Sequence, residues 1–157
     1  MNEITTARGS CLCGAVRFHV QLPSKWVAHC HCSFCQRAHG AAFVTWAGFS
    51  SDHFAVDADS PAQPTWFESS PGARRAFCPR CGSPMFFEST RWPDETHVAR
   101  VLIADPLDRE PQAHVFYETH VPWLAVNDGL PKKPSQAATR QQAAVASPVA
   151  SDDAAGG

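Results

Sequence analysis

The residues best suited to chemistry are seven cysteines, and they fall in three tight groups: Cys11/Cys13, Cys30/Cys32/Cys35 and Cys78/Cys81. The middle run, Cys30-His31-Cys32-Ser33-Phe34-Cys35, puts three thiols where one metal ion could gather them all. A soft divalent ion such as zinc favours thiolate ligands and a tetrahedral set of four. Three local sulfurs therefore leave one coordination position for a substrate or water. The odd count and the one- and two-residue gaps argue against a disulfide framework, which spreads an even number of cysteines along a short secreted chain.

Dividing seven sulfurs into one closed four-ligand site and one open three-ligand site uses every cysteine. In that partition Cys11, Cys13, Cys78 and Cys81 form a structural zinc site, and Cys30, Cys32 and Cys35 an open one. An alternative joins Cys32/Cys35 to Cys78/Cys81 as a double knuckle and strands the other three. A redox dithiol at Cys32/Cys35 is a further reading, to which the neighbouring Cys30 is ill suited. Arg37 is the nearest permanent cation to the triplet and the candidate substrate-binding residue; Arg74 and Arg80 are further candidates for carboxylates. His29 and His31 flank the triplet. In strand geometry His31 points away from Cys30 and Cys32, which makes it a supporting or surface group. His39 is an acid/base candidate or a surface residue, and His19 reads as solvent-facing.

These side chains must be positioned by short strands. Val16, Phe18 and Val20 alternate with Arg17 and His19, the period of a half-buried strand, and extended Cys-x-Cys would turn both sulfurs of Cys11/Cys13 to one side. Further strands are expected at 26–29, 41–47, 53–56, 66–67, 74–77, 84–88, 97–103 and 114–118, with 121–124 closing the domain. Ser69-Ser70-Pro71-Gly72 signals a hairpin. Cys78-Pro79-Arg80-Cys81-Gly82 has the shape of a zinc knuckle, in which glycine allows the positive φ that closes the turn. Ser33 is placed to cap a short helix ended by Gly40. Helical periodicity is otherwise scarce, so the fold class is mainly β.

The length of 157 residues suits one domain, at 1–130. From 131 to 157 the chain holds no aromatic residue and reads as a disordered tail. A net charge of -2 speaks against a nucleic acid or an anionic membrane surface as partner. No run suits a signal peptide or a bilayer span, so a soluble cytoplasmic protein is expected.

Three segments together resemble the glutathione-dependent formaldehyde-activating enzyme (Gfa) family: Gly9-Ser10-Cys11-Leu12-Cys13-Gly14-Ala15-Val16, Cys30-His31-Cys32-Ser33-Phe34-Cys35-Gln36-Arg37, and Arg75-Ala76-Phe77-Cys78-Pro79-Arg80-Cys81-Gly82-Ser83. His114-Val115-Phe116 with Trp123 is similar to the family's closing segment. The resemblance implies an Mss4-like β-tent of short antiparallel sheets stapled by zinc. It implies a structural zinc on Cys11, Cys13, Cys78 and Cys81 and a catalytic zinc on Cys30, Cys32 and Cys35. It also implies a carbon-sulfur lyase written in reverse, joining glutathione and formaldehyde into S-(hydroxymethyl)glutathione. Two rivals are kept: a zinc enzyme of this kind acting on another small thiol or carbonyl compound, and a non-catalytic zinc-stabilised binding module. Gln36 stands directly after the triplet, where the family often has Lys or Arg.

Overall fold

The protein is described from a computed structural model covering residues 5–135. Ten strands and one α-helix are formed by the described residues, so the chain is mainly β as its pattern predicts. The strands are β1 (Thr6–Ser10), β2 (Arg17–Gln21), β3 (Trp26–Cys30), β4 (Val44–Ser50), β5 (Phe54–Val56), β6 (Thr65–Ser70), β7 (Ala73–Phe77), β8 (Pro84–Ser89), β9 (Trp92–Ala99) and β10 (His114–Val115). Helix α1 spans Ser33–His39 between β3 and β4. Among the described residues no helix is long and apolar enough to cross a membrane.

A small sheet, β1-β2-β5, packs on a seven-stranded sheet ordered β10-β3-β4-β9-β8-β7-β6. All pairings are antiparallel except β10 with β3, which run parallel. The alternation in β2 buries Phe18 and Val20 on the inner face. Phe18 meets Phe86 of β8 edge-on at 5.1 Å, an arrangement that suits the ring quadrupoles. Val16, Val27, Phe49, Met85 and Val98 complete the main core. Burying a side chain of this size contributes about 1.5–3 kcal/mol, so this cluster dominates what holds the two sheets together.

Several elements depart from the sequence expectation. Thr6–Ser10 is an unforeseen strand whose inward residues are Ala7 and Gly9. Gly9 lies against the Phe18 ring and the Leu102 carbonyl, where no Cβ fits, so close packing rather than hydrophobic content selects it. The strand expected at 97–103 ends at Ala99, its last partner being Trp46, and Arg100–Leu102 turn as a 3-10 segment. That turn brings Ile103 into a bridge with Gly9. The strand expected at 114–118 is two residues long, because Phe116 adopts φ 54° and Tyr117–Thr119 wind away. Residues 121–124 form no strand, and Trp123 is largely exposed.

Pro131 to Ser135, which composition assigns to the tail, run along β10 and the turn after it. His114 N–H donates to the Pro131 carbonyl at 2.8 Å, Lys133 N–H to the His114 carbonyl at 2.8 Å, and Tyr117 N–H to the Lys133 carbonyl at 3.0 Å. Backbone pairing of this kind needs no apolar side chains, which is why composition misses it. Residues 136–157 of the expected tail lie outside the described residues.

Candidate metal and substrate site

Cys11 and Cys13 sit in a turn, not in the strand expected for them: Gly14 N–H donates to the Cys11 carbonyl at 3.1 Å, and β2 begins only at Arg17. Cys78 and Cys81 lie in a second turn, closed by Gly82 N–H to the Cys78 carbonyl at 2.8 Å, with Gly82 at φ 75°. The two turns face each other, and the four Sγ atoms lie within 4.8 Å of one another. Two of the separations are 3.7 Å (Cys11 to Cys13) and 3.9 Å (Cys13 to Cys78). Sulfurs at the corners of a tetrahedron, each ~2.3 Å from its centre, stand about 3.8 Å apart, so the spacing fits a zinc ion.

The surroundings of this cluster favour thiolate. Val16 N–H donates to Cys11 Sγ at 3.3 Å, and the Ser83 hydroxyl lies 3.1 Å from Cys81 Sγ while accepting from Leu12 N–H. The Ser83 hydroxyl and backbone N–H pull Cys81 down to about 5. Cys13 goes the other way: although the Ala15 N–H lowers it, desolvation and the neighbouring thiols push it up to about 11. Four sulfurs this close cannot all ionise unless a cation neutralises them.

The second cluster is assembled at the junction of a strand and a helix. Cys30 is the last residue of β3 and Cys35 lies in the first turn of α1. Cys32, rather than Ser33, is the N-cap, because its Sγ accepts from Cys35 N–H at 3.3 Å. Gly40 ends the helix in the left-handed region at φ 59°. The three Sγ atoms lie within 4.8 Å of one another, with no fourth thiol among the described residues. Trp46 Nε1–H donates to Cys35 Sγ at 3.4 Å, and the Arg75 guanidinium stands 3.7 and 3.8 Å from it. Hydrogen bonds from Cys30 and Cys32 hold Cys35 far below the usual thiol range. Burial opposes this, while the Arg75 charge and the Trp46 indole add to it. Cys30 is pushed up by its hydrogen bonds with Cys32 and Cys35 and by burial.

This triplet opens on a cavity of about 410 Å³, walled by Trp26, Trp46, Phe87, Trp92, Val115 and Phe116. Its charged or titratable lining, apart from the thiols, is Arg75, His97 and Lys133, and no carboxylate lines it among the described residues. Arg75 is buried, lies 4.8 Å from the centre of the Phe87 ring, and makes no ion pair with a carboxylate among the described residues. A buried guanidinium without a carboxylate calls for another electron-rich partner, and the Cys35 sulfur is the one within reach. His97 Nε2 is 3.0 Å from Glu95 Oε2, which also pairs with Lys25 through its other oxygen. Burial lowers the pKa of His97 against the pull of Glu95.

Arg37 is exposed and lines an outer cleft with Phe34, Phe67 and Arg75, outside the thiol cavity. Arg74 is paired to Glu88 and stacked on Trp66, and Arg80 donates to the Pro61 carbonyl. His39 is half-buried, edge-on to Trp46 at 5.2 Å. His19 is half-exposed and bonded to Asp57. His31 is not a surface group: it is 1% exposed, and its Nε2 lies 2.8 Å from Nδ1 of His114, whose Nε2 reaches Asp128 at 2.9 Å. Arg75 and His97 escaped the sequence reading. The inward phase of Arg75 in the Arg74-Arg75-Ala76 run is the only local signal for either.

Fold and site together define a small β protein stapled by one four-thiol cluster, with a second cluster of three thiols at the wall of a cavity. Both clusters could hold metal ions. The chain belongs to the glutathione-dependent formaldehyde-activating enzyme family, which it matches over residues 6–119. A protein of Halomonas elongata, provisionally named a glutathione-dependent formaldehyde-activating enzyme, is 32% identical over 125 residues, covering 75% of this chain and 79% of that protein. A crystal structure of a Rhodobacter sphaeroides protein superposes with a TM-score of 0.52 at 22% identity, over 80% of this chain and 98% of the other, a likeness of fold.

Proposed function

We propose that the protein is a zinc-dependent carbon-sulfur lyase acting in the direction of synthesis, joining glutathione to formaldehyde at the Cys30/Cys32/Cys35 cluster. The observation that carries this reading is the three-thiol cluster facing a cavity whose charged groups besides the thiols, among the described residues, are cationic. Cys11, Cys13, Cys78 and Cys81 hold the structural zinc. Zinc on the triplet would supply a Lewis acid that lowers the pKa of an incoming thiol.

The protein's own groups do the rest. The sulfur of the substrate attacks the carbonyl carbon, a carbon–sulfur bond forms, and the carbonyl π pair moves to oxygen, which takes a proton. His97 is kept neutral by burial and is oriented by Glu95 through Nε2, which leaves Nδ1 to accept the thiol proton and return it to the oxygen. Arg75 balances the thiolate charge, and Arg75 with Lys133 would position a substrate carboxylate. Arg37 lies in the adjoining outer cleft, where it would meet a carboxylate extending past Arg75. The aromatic walls favour a second reading, a thiol more apolar than glutathione, with the same chemistry.

The test is exchange spectroscopy on glutathione and formaldehyde with the zinc-loaded protein. Faster adduct formation by the wild type, abolished in Cys32→Ser, is the expected result. An unchanged rate with glutathione but acceleration with a more apolar thiol moves the assignment to the second reading, and no acceleration with any thiol overturns both.

A further inference from the structure

We propose that His29, His114 and Asp128 form a third metal site, distinct from both thiol clusters, that takes a borderline divalent cation such as zinc. Their ligand atoms lie within 4.8 Å of one another. The parallel pairing of β10 with β3 puts His114 directly opposite His29, so the two imidazoles stand side by side with centroids 4.8 Å apart. Asp128 arrives from the irregular segment that follows and brings its carboxylate to 2.9 and 3.1 Å from His114 Nε2.

The outer partners are those that a metal-binding histidine needs. A ligating imidazole usually holds its second nitrogen in a hydrogen bond that fixes the ring and its tautomer. His29 Nδ1 is 2.7 Å from Thr45 Oγ1, which leaves Nε2 as the ligand atom. His114 Nδ1 is 2.8 Å from His31 Nε2, which likewise leaves Nε2. Asp128 is further held by Leu130 N–H at 3.1 Å. Two imidazoles and one carboxylate suit zinc, cobalt or iron(II) better than magnesium or calcium, whose preferred ligands are all oxygen. The Asp128 side chain is 39% exposed, so water can complete the set.

A cation here would clip an irregular segment to the edge of the large sheet. The clipped strands and segment also carry part of the cavity wall, since Val115 and Phe116 follow His114 in the chain and Lys133 N–H donates to the His114 carbonyl. The site therefore brings the wall of the cavity under metal control without itself touching substrate. It does not rest on the proposed activity, nor on metal at either thiol cluster.

The test is a cobalt(II) titration of the full chain, combining metal analysis with absorption spectroscopy. Cobalt on thiolates gives intense sulfur-to-metal charge-transfer bands, and cobalt on two histidines and a carboxylate gives none. The expected result is one equivalent bound without such bands, lost in Asp128→Ala and in His29→Ala while the charge-transfer intensity stays. Asp128→Ala removes a partly exposed side chain, so it leaves the fold in place even if a histidine variant does not. Absence of that equivalent in the wild type, or its persistence in both variants, overturns the proposal. Absence of the charge-transfer bands alone would instead overturn metal binding at the thiol clusters.

Discussion

The two thiol clusters use the same ligand chemistry in opposite settings. The four-thiol cluster joins two turns 65 residues apart (Cys13 and Cys78), each closed by its own backbone hydrogen bonds, and none of its thiols lines the cavity beside the triplet. The three-thiol cluster comes from one six-residue run. It is held by groups brought from elsewhere, namely Trp46 on β4 and Arg75 on β7, and it lines a cavity. A site whose ligands come from distant parts of the chain links folding to metal binding. A site whose ligands come from one run can vary its metal and charge with less effect on the fold.

The largest expected effect separates the clusters by stability. Cys78→Ser should cost several kcal/mol, because a structural zinc contributes apparent binding energies of about 10–16 kcal/mol to folding. Cys32→Ser should lower the melting temperature far less and abolish the acceleration of adduct formation. Thermal unfolding of both zinc-loaded variants checks this, and equal losses would erase the distinction. Arg75→Met comes next: removing the guanidinium beside the thiolates should slow the reaction by about 100-fold, the scale seen when one preorganised charge-stabilising donor is lost. A rate unchanged in steady-state kinetics would show that the thiolates need no such partner.

Trp46→Phe keeps an aromatic wall and removes only the N–H donated to Cys35. A hydrogen bond to a charged acceptor contributes about 1.5–3 kcal/mol, so metal affinity at the triplet should fall by about 10- to 150-fold, with the four-thiol cluster unaffected. Competition against a chelating dye reads both. The smallest effect concerns pH. Although burial opposes it, hydrogen bonds from Lys25, His97 and Trp26 hold the Glu95 pKa below its ordinary value. A depressed carboxylate adds stability that is fully present above the unfolded pKa of about 4.3 and is lost as pH falls through the folded value. Denaturant unfolding of wild type and Glu95→Gln between pH 6 and 3, on the order of a few steps of pH, should show a shallower acid slope in the variant.

Much of the fold was legible because its signals are local. The alternation of Val16, Phe18 and Val20, the Ser69–Gly72 hairpin and the Gly82 and Gly40 turns are each readable within a few residues. β1 was not, because its inward residues are Ala7 and Gly9, chosen for close approach. The pairing of residues 131–135 with β10 was hidden for a related reason: backbone groups carry it. The surface placement offered for His31 was wrong, since the residue is buried, because strand alternation gives only the side to which a residue points. What waited on that side, His114 and Asp128, comes from far along the chain.

The sequence by itself determined where the thiols are and narrowed their division to two partitions, since one- and two-residue gaps leave few ways for a soft ion to gather them, and the distances in the fold chose between the two. Only the tertiary structure decided which charged groups meet them. Arg75 reaches Cys35 from 40 positions away, His97 enters the cavity from β9, and Arg37, the nearest cation in sequence, turns to another cleft. The physical reason is range. Ligand spacing is set by the covalent chain over a few residues, whereas a buried charge finds its partner through the register of distant strands, which local composition does not encode.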